Sequence, residues 1–405
     1  MRKQLIRSVR IRSRSLRYVI AIAATLPAIF CSGNRQFAIQ QEPLPEEELI
    51  VLTAPKRAER MRPMDENPAG YVTIAAVGDV MMGSWVADVV DEFGCDYPFD
   101  STRSLLAKAD VAIANLEAPL TDEGDVFKDK TYTFKVPPGF AMGIRNAGIG
   151  IVTLANNHIL DYGCTGLENT IKALKANDIL FSGAGENRAR ACEPVFMTIK
   201  NRKIAFAGFS MTFPEEFWAG DSSCGTCFPT ESLLQKVIEQ CRENADVVVL
   251  GFHWGAERRN TPKDYQVYIA RKSIDLGADL VLGHHPHVLQ GIEIYKNRLI
   301  AYSLGNFVFG SYSSSARTSA ILRVLMGEDG FLYARVYPIS VYNSMINFQP
   351  RVLRNKERTQ VIDELNKISQ HLNKGKNVID RDGFIFPGAS KHDTDDRPPL
   401  TLRSD

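Results

Sequence analysis

The chain has 405 residues, 44% hydrophobic and 23% charged, with a formal net charge of +1. That is an ordinary globular composition with ample material for a core, in one large domain or two smaller ones. A net charge near zero and the lack of a basic stripe leave no field for nucleic acid, so no nucleic-acid partner is expected.

The N-terminus carries the chain's charge asymmetry. Arg2, Lys3, Arg7, Arg10, Arg12, Arg14 and Arg17 precede the apolar run Tyr18–Phe30, and no acidic residue comes before Glu42. A cationic segment followed by a short apolar run is the pattern of an export signal. The run contains Pro27 and falls short of the ~18 apolar residues of a spanning helix. Residues 1–33 are therefore expected to be a signal sequence, cleaved or kept as a membrane anchor, with the protein exported to the cell envelope. Cys31 follows directly, where a lipoprotein cysteine would stand, although Phe30 fills the position usually held by a small residue. Residues 34–70 are polar and rich in Pro and Glu and read as a linker.

Order is expected over 71–350. The apolar runs Val72–Val77, Ala109–Ala114, Ile149–Ala155, Ile179–Phe181, Ile204–Phe209, Val247–Phe252, Leu280–Leu282 and Leu299–Tyr302 resemble strands buried on both faces. Helical spacing over Gly166–Asn177 and Thr230–Asn244 alternates with them, which argues for an α/β domain. Ala320–Met326 and Phe331–Tyr337 flank a Gly-Glu-Asp-Gly turn and predict a β-hairpin. Residues 351–405 are expected to hold one amphipathic helix, over 356–373, and a disordered tail from Lys391. Six cysteines beyond Cys31 permit disulfides in an exported chain. Cys224-Gly225-Thr226-Cys227 lies in a polar loop without the second CxxC of a zinc ribbon. A structural disulfide is expected there, either local or to Cys192.

Polar residues cluster at the carboxyl ends of these strands, where ligands bind in open α/β sheets. Asp79 follows the first strand, Glu117 the second, Asn156, Asn157 and His158 the third, His253 the sixth, and His284, His285 and His287 the seventh. Carboxylates and imidazoles suit a divalent transition metal, and an asparagine oxygen completes a shell without adding charge. Pro286 is expected to hold His285 and His287 in extended backbone. His284 should then face the opposite way.

In this order the chain carries Gly78-Asp79-Val80-Met81-Met82-Gly83, Asn115-Leu116-Glu117, Leu154-Ala155-Asn156-Asn157-His158 with Asp161-Tyr162-Gly163, His253-Trp254-Gly255-Ala256-Glu257, Gly283-His284-His285-Pro286-His287-Val288 and Tyr302-Ser303-Leu304-Gly305-Asn306-Phe307. The ordered set resembles the CapA family of capsule or poly-γ-glutamate synthesis proteins, related to calcineurin-like metallophosphoesterases, over about Val72 to Val308. The resemblance implies a four-layer α/β sandwich of two central mixed β-sheets flanked by helices. It implies one or two divalent ions (Mn, Zn, Fe or Mg): Asp79 and His287 on the first, Asn157, His253 and His285 on the second, Glu117 bridging. It makes His158 the general acid, oriented by Asp161, and leaves Asn156, Glu257 and Asn306 as candidates for substrate contact. Two positions depart from the phosphoesterase pattern: Met81 replaces a metal-binding histidine, and Glu117 replaces the bridging aspartate.

The implied function is a metal-dependent hydrolase or transferase on an anionic cell-surface polymer or its precursor, in company with membrane-embedded synthase subunits. The alternatives are a non-enzymatic accessory or export subunit of such a complex, and a phosphoesterase on small phosphate esters.

Overall fold

The structure, a computed structural model, describes residues 70–388. The expected signal or anchor over 1–33, Cys31, the linker apart from Gly70, and the tail from Lys391 lie outside the described residues.

The apolar runs assemble into two mixed sheets. The first has nine strands, in the order Arg351–Val352, Gly330–Ser340, Thr318–Gly327, Val72–Met81, Val111–Leu116, Ile149–Thr153 and Leu180–Ser182; Asn306–Phe309 pairs with Val72–Met81, and Phe384–Ile385 with Gly330–Ser340. The second has six, in the order Ile292–Tyr295, Arg298–Ala301, Leu280–His284, Val247–His253, Arg202–Ser210 and Val195–Ile199. In the second sheet pairing is parallel through the middle and antiparallel at both margins; in the first it is parallel from Val72–Met81 to the Leu180–Ser182 edge and antiparallel from Val72–Met81 to the Arg351–Val352 edge.

The two-residue period of a strand divides each sheet between two cores. Ile74, Ala76, Ile113, Val247, Val249, Leu280 and Leu282 fill the space between the sheets. Their alternates point to helices: Ala75 and Val77 toward Trp85–Phe93 and Gly163–Ala176, Val248 and Leu250 toward Glu231–Asn244 and Asp264–Asp275. The layers therefore run helix, sheet, sheet, helix, which is the expected four-layer α/β sandwich. Burying such Val, Leu and Ile side chains stabilises the fold by about 1.5–3 kcal/mol each.

The predicted hairpin is present as Thr318–Gly327 and Gly330–Ser340, and Thr230 caps the Glu231–Asn244 helix by accepting from the Leu233 N–H. The segment past residue 350 packs on the same body. Its helix, Asn355–Ser369, buries Val361, Ile362 and Leu365 in the inter-sheet core, and Ile385 pairs with Ala334. Four cysteines form two disulfides, Cys164–Cys224 and Cys192–Cys227. The CGTC pair is thus not joined to itself; its second cysteine takes the expected partner Cys192. Cys95 and Cys241 are free.

Candidate metal centre

Strand parity alone would turn Asp79 toward the helices, because it shares parity with Ala75 and Val77. A β-bulge reverses this. Ala76 pairs with Ile113 and Asp79 with Asn115, so one extra residue sits on the first strand between them. The bulge turns Asp79 to the inner face, on a line with Ile113 and Asn115. Gly78 makes it feasible: a Cβ there would lie 1.7 Å from the Gly305 carbonyl oxygen, and the Asp79 N–H donates to that same oxygen at 3.0 Å. Glu117 needs no such device, since it keeps the parity of Val111, Ile113 and Asn115 and is fully buried.

His253 and His284 end neighbouring parallel strands in direct register, so both side chains lie on the inner face. The extended backbone expected after them is not found. His285 has φ +94° and His287 φ +58°. Alternation would send His285 to the far side of the sheet; the left-handed turn returns it to the cluster. His284 therefore points inward, against expectation, and so does His285. Non-glycine residues at such φ cost about 1–3 kcal/mol and persist where the surroundings hold them.

Glu117 Oε1 stands at the middle, 3.7 Å from His253 Nε2 and 3.6 Å from His287 Nε2. His287 Nδ1 lies 3.2 Å from Asp79 Oδ2 and 2.9 Å from Asn306 Oδ1. His253 Nε2 is 2.8 Å from Asn157 Oδ1. Asn115 fills a position given no role from sequence: its Nδ2 donates to Asp79 Oδ1 and Glu117 Oε2, both at 2.9 Å. Its place at the head of the Asn115-Leu116-Glu117 motif, two positions before Glu117, is the signal that could have singled it out.

These charges are strongly coupled. Burial pushes the Asp79 carboxyl up, but His284 and His287 outweigh it and hold it well below the usual carboxylate range. Burial and then the Asp79 charge push Glu117 well above its ordinary value. Burial and the neighbouring His287 lower His285 to about 3. Burial opposes protonation of His287 as well, yet Glu117 and Asp79 raise it to about 9. Burial and then His285 lower His253.

The donor set fits a divalent metal. Glu117 Oε1, both ring nitrogens of His284 and His285 Nδ1 are buried without a hydrogen-bond partner. Leaving such groups unsatisfied costs about 1–3 kcal/mol each. A cation coordinated by carboxylate oxygen and neutral imidazole nitrogen removes that cost. Two sets have donor atoms within 4.8 Å of one another: Glu117, His285 and His287, and Asp79, Glu117 and His253.

Beside this cluster, His158 Nδ1 lies 2.7 Å from Asp161 Oδ2. Lys130, not singled out from sequence, closes the group. Its ammonium contacts Asp161 Oδ1 at 2.5 Å and the Asn157 carbonyl, and stands 3.0 Å from His158 Nδ1. Burial, opposed by Asp161, lowers the pKa of both Lys130 and His158.

The three residues expected at the substrate divide. Asn156 is fully buried; it donates to Asn115 Oδ1 and the Leu116 carbonyl and accepts from the His158 N–H. Asn306 is 5% exposed and bonded to His287. Asn156 thus has both its polar atoms engaged by other site residues, while Asn306 engages His287 through its Oδ1. Glu257 is exposed, and its charge reaches Glu117 and His287.

Comparison with known proteins places this arrangement. The "Capsule biosynthesis protein CapA" of Bacillus anthracis is 34% identical over 300 residues, 72% of this chain and 73% of that protein. The "PGA biosynthesis protein CapA" of Bacillus subtilis strain 168 is 31% identical over 270 residues, 66% of this chain and 71% of that protein. A "Probable polyglutamine synthesis accessory protein" of Mycobacterium tuberculosis is 28% identical over 210 residues, 49% of this chain and 55% of that protein. Residues 73–311, which span the site from Asp79 to Asn306, match the family described as "Bacterial capsule synthesis protein PGA_cap", and the chain belongs to that family.

Proposed function

We infer that the protein is a metal-dependent hydrolase or transferase, working outside the cytoplasm on an anionic cell-surface polymer or its precursor alongside membrane-embedded synthase subunits. The capsule and poly-γ-glutamate role of its family frames this reading. The observation that carries it is the His158–Asp161 pair standing beside a buried cluster of unpartnered metal-type donors.

Asp79, Glu117, Asn157, His253, His285 and His287 would hold one or two divalent ions. Bound there, such ions polarise an ester, amide or phosphate oxygen and lower the pKa of a bound water. The remaining work falls to the chain. Asp161 engages His158 Nδ1, leaving Nε2 to hold or move a proton. Burial keeps the free ring neutral; an anionic substrate group nearby raises its pKa again and favours the acid form. Lys130 fixes Asp161 and the Asn157 main chain together. Export is supported by the basic N-terminus before an apolar run and by the two disulfides, which persist in oxidising compartments.

The test uses purified full-length protein loaded with Mn or Zn, assayed for change in polymer chain length. His158→Ala should lower the rate by about 10²–10⁴-fold, the usual worth of a positioned acid or base, with metal content unchanged. A wild-type rate in that variant would defeat the enzymatic reading. The relative described as an accessory protein supports a second, non-catalytic reading. Full rescue of polymer production in cells by His158→Ala would favour it.

A further inference from the structure

We propose that His284 is a direct ligand of the ion held by Asp79, an inference that rests on the metal-centre reading above. His284 is 1% exposed, and neither ring nitrogen has a hydrogen-bond partner. An imidazole always presents at least one N–H donor, and a neutral ring also presents an acceptor. Burying both without partners is a cost that native structures avoid unless something else fills the place.

The geometry says what fills it. Parallel register with His253 puts His284 on the inner face, next to Asp79. His284 Nδ1 stands 3.3 Å from Asp79 Oδ1, outside hydrogen-bond geometry. Two donors each ~2.1 Å from a common ion, at tetrahedral or octahedral angles, lie roughly 3.0–3.4 Å apart. The observed spacing is that of two ligands on one ion. Asp79 Oδ1 is already satisfied by Asn115 Nδ2 at 2.9 Å, so it does not require His284 as a donor.

The ligand role separates His284 from a histidine that only neutralises Asp79. His284→Asn keeps an N–H donor near Asp79 but removes the imidazole nitrogen. In full-length protein titrated with Zn²⁺, wild type should bind two ions. His284→Asn should retain one and bind the other at least ~100-fold more weakly, beyond the ~10–100-fold typical of changes one step removed from the metal. Two ions bound with wild-type affinity in the variant would overturn the proposal and leave the metal centre standing. A wild type that binds none would overturn both.

A second measurement needs no variant, in case His284→Asn fails to fold. The chain has 7 histidines. With ¹⁵N-histidine and ¹¹³Cd²⁺, one-bond nitrogen–cadmium coupling should appear for four of them: His253, His284, His285 and His287. Coupling at His253, His285 and His287 with none at His284 would overturn the proposal and leave the metal centre standing.

Discussion

Around Glu117, like and unlike charges are packed so tightly that protonation and metal occupancy must exchange. His287 carries the proton that balances Asp79 and Glu117, with its pKa raised from 6.5 to about 9. A raised folded-state pKa means the folded protein holds that proton more tightly than the unfolded chain does. This contribution is fully present below pH 6.5 and lost as pH rises through about 9. Glu117, also raised, acts in the same direction. His285 moves the opposite way, to about 3, so its effect is confined below its ordinary 6.5 and leaves the alkaline window alone. Metal-free protein should therefore melt at a lower temperature near pH 9 than near pH 7. Saturating Zn²⁺ should narrow the gap, because the ion replaces the proton as counter-charge. Thermal unfolding followed by circular dichroism checks this, and equal midpoints at both pH values without metal would contradict it.

At the scale of elements, the centre depends on departures from regular structure. The bulge between Ala76 and Asp79 rotates one carboxylate into the inter-sheet space, and the left-handed φ of His285 and His287 keeps consecutive histidines on one side of the sheet. Gly78 is where this arrangement is most exposed to mutation. Adding a Cβ at 1.7 Å from the Gly305 oxygen forces two strands apart. Gly78→Ala should destabilise the protein by about 1–3 kcal/mol, as overpacking does, and displace Asp79 enough to weaken metal binding. Denaturant unfolding and a Zn²⁺ titration measure the two effects. Unchanged metal affinity would show that the bulge does not depend on this glycine.

Over the whole molecule, the site is supported from behind by an inter-sheet core that the C-terminal segment completes. Val361, Ile362, Leu365, Ile379 and Ile385 are buried in it, and Asn366 accepts from the Val378 and Ile379 N–H groups. Ending the chain after Pro350 would strip these side chains from the core, at about 1.5–3 kcal/mol for each large one. Summed over several of them, that loss is comparable to the whole ~5–15 kcal/mol stability typical of a domain. The truncated protein should be unfolded or protease-sensitive. Limited proteolysis and far-UV circular dichroism decide it; native-like resistance would refute the role given to this segment.

What the sequence determined by itself was local and periodic. Runs such as Val247–Phe252 read as strands covered on both faces and, alternating with helical spacing, predict an α/β domain; the two-sheet, four-layer arrangement was what the family resemblance implied. Polar residues directly after such runs, from Asp79 to His287, were expected together because parallel strands share their carboxyl ends; the structure supplies them from two facing sheets. Short or half-exposed strands escaped detection: Ile292–Tyr295 has four residues, and Val195–Ile199 is an edge whose side chains are mostly half-buried. Only the tertiary structure decided which way each side chain faces. Strand alternation would turn Asp79 and His285 away, and a bulge and a left-handed turn bring them back. The roles of Asn115 and Lys130 were likewise invisible, since an amide or an ammonium acquires its chemistry from partners distant in sequence. Lys130 meets Asp161 across 31 positions, and Asn115 meets Asp79 across 36. Bulge and turn are set by contacts such as Gly78 against Gly305, which arise only when the strands are already side by side.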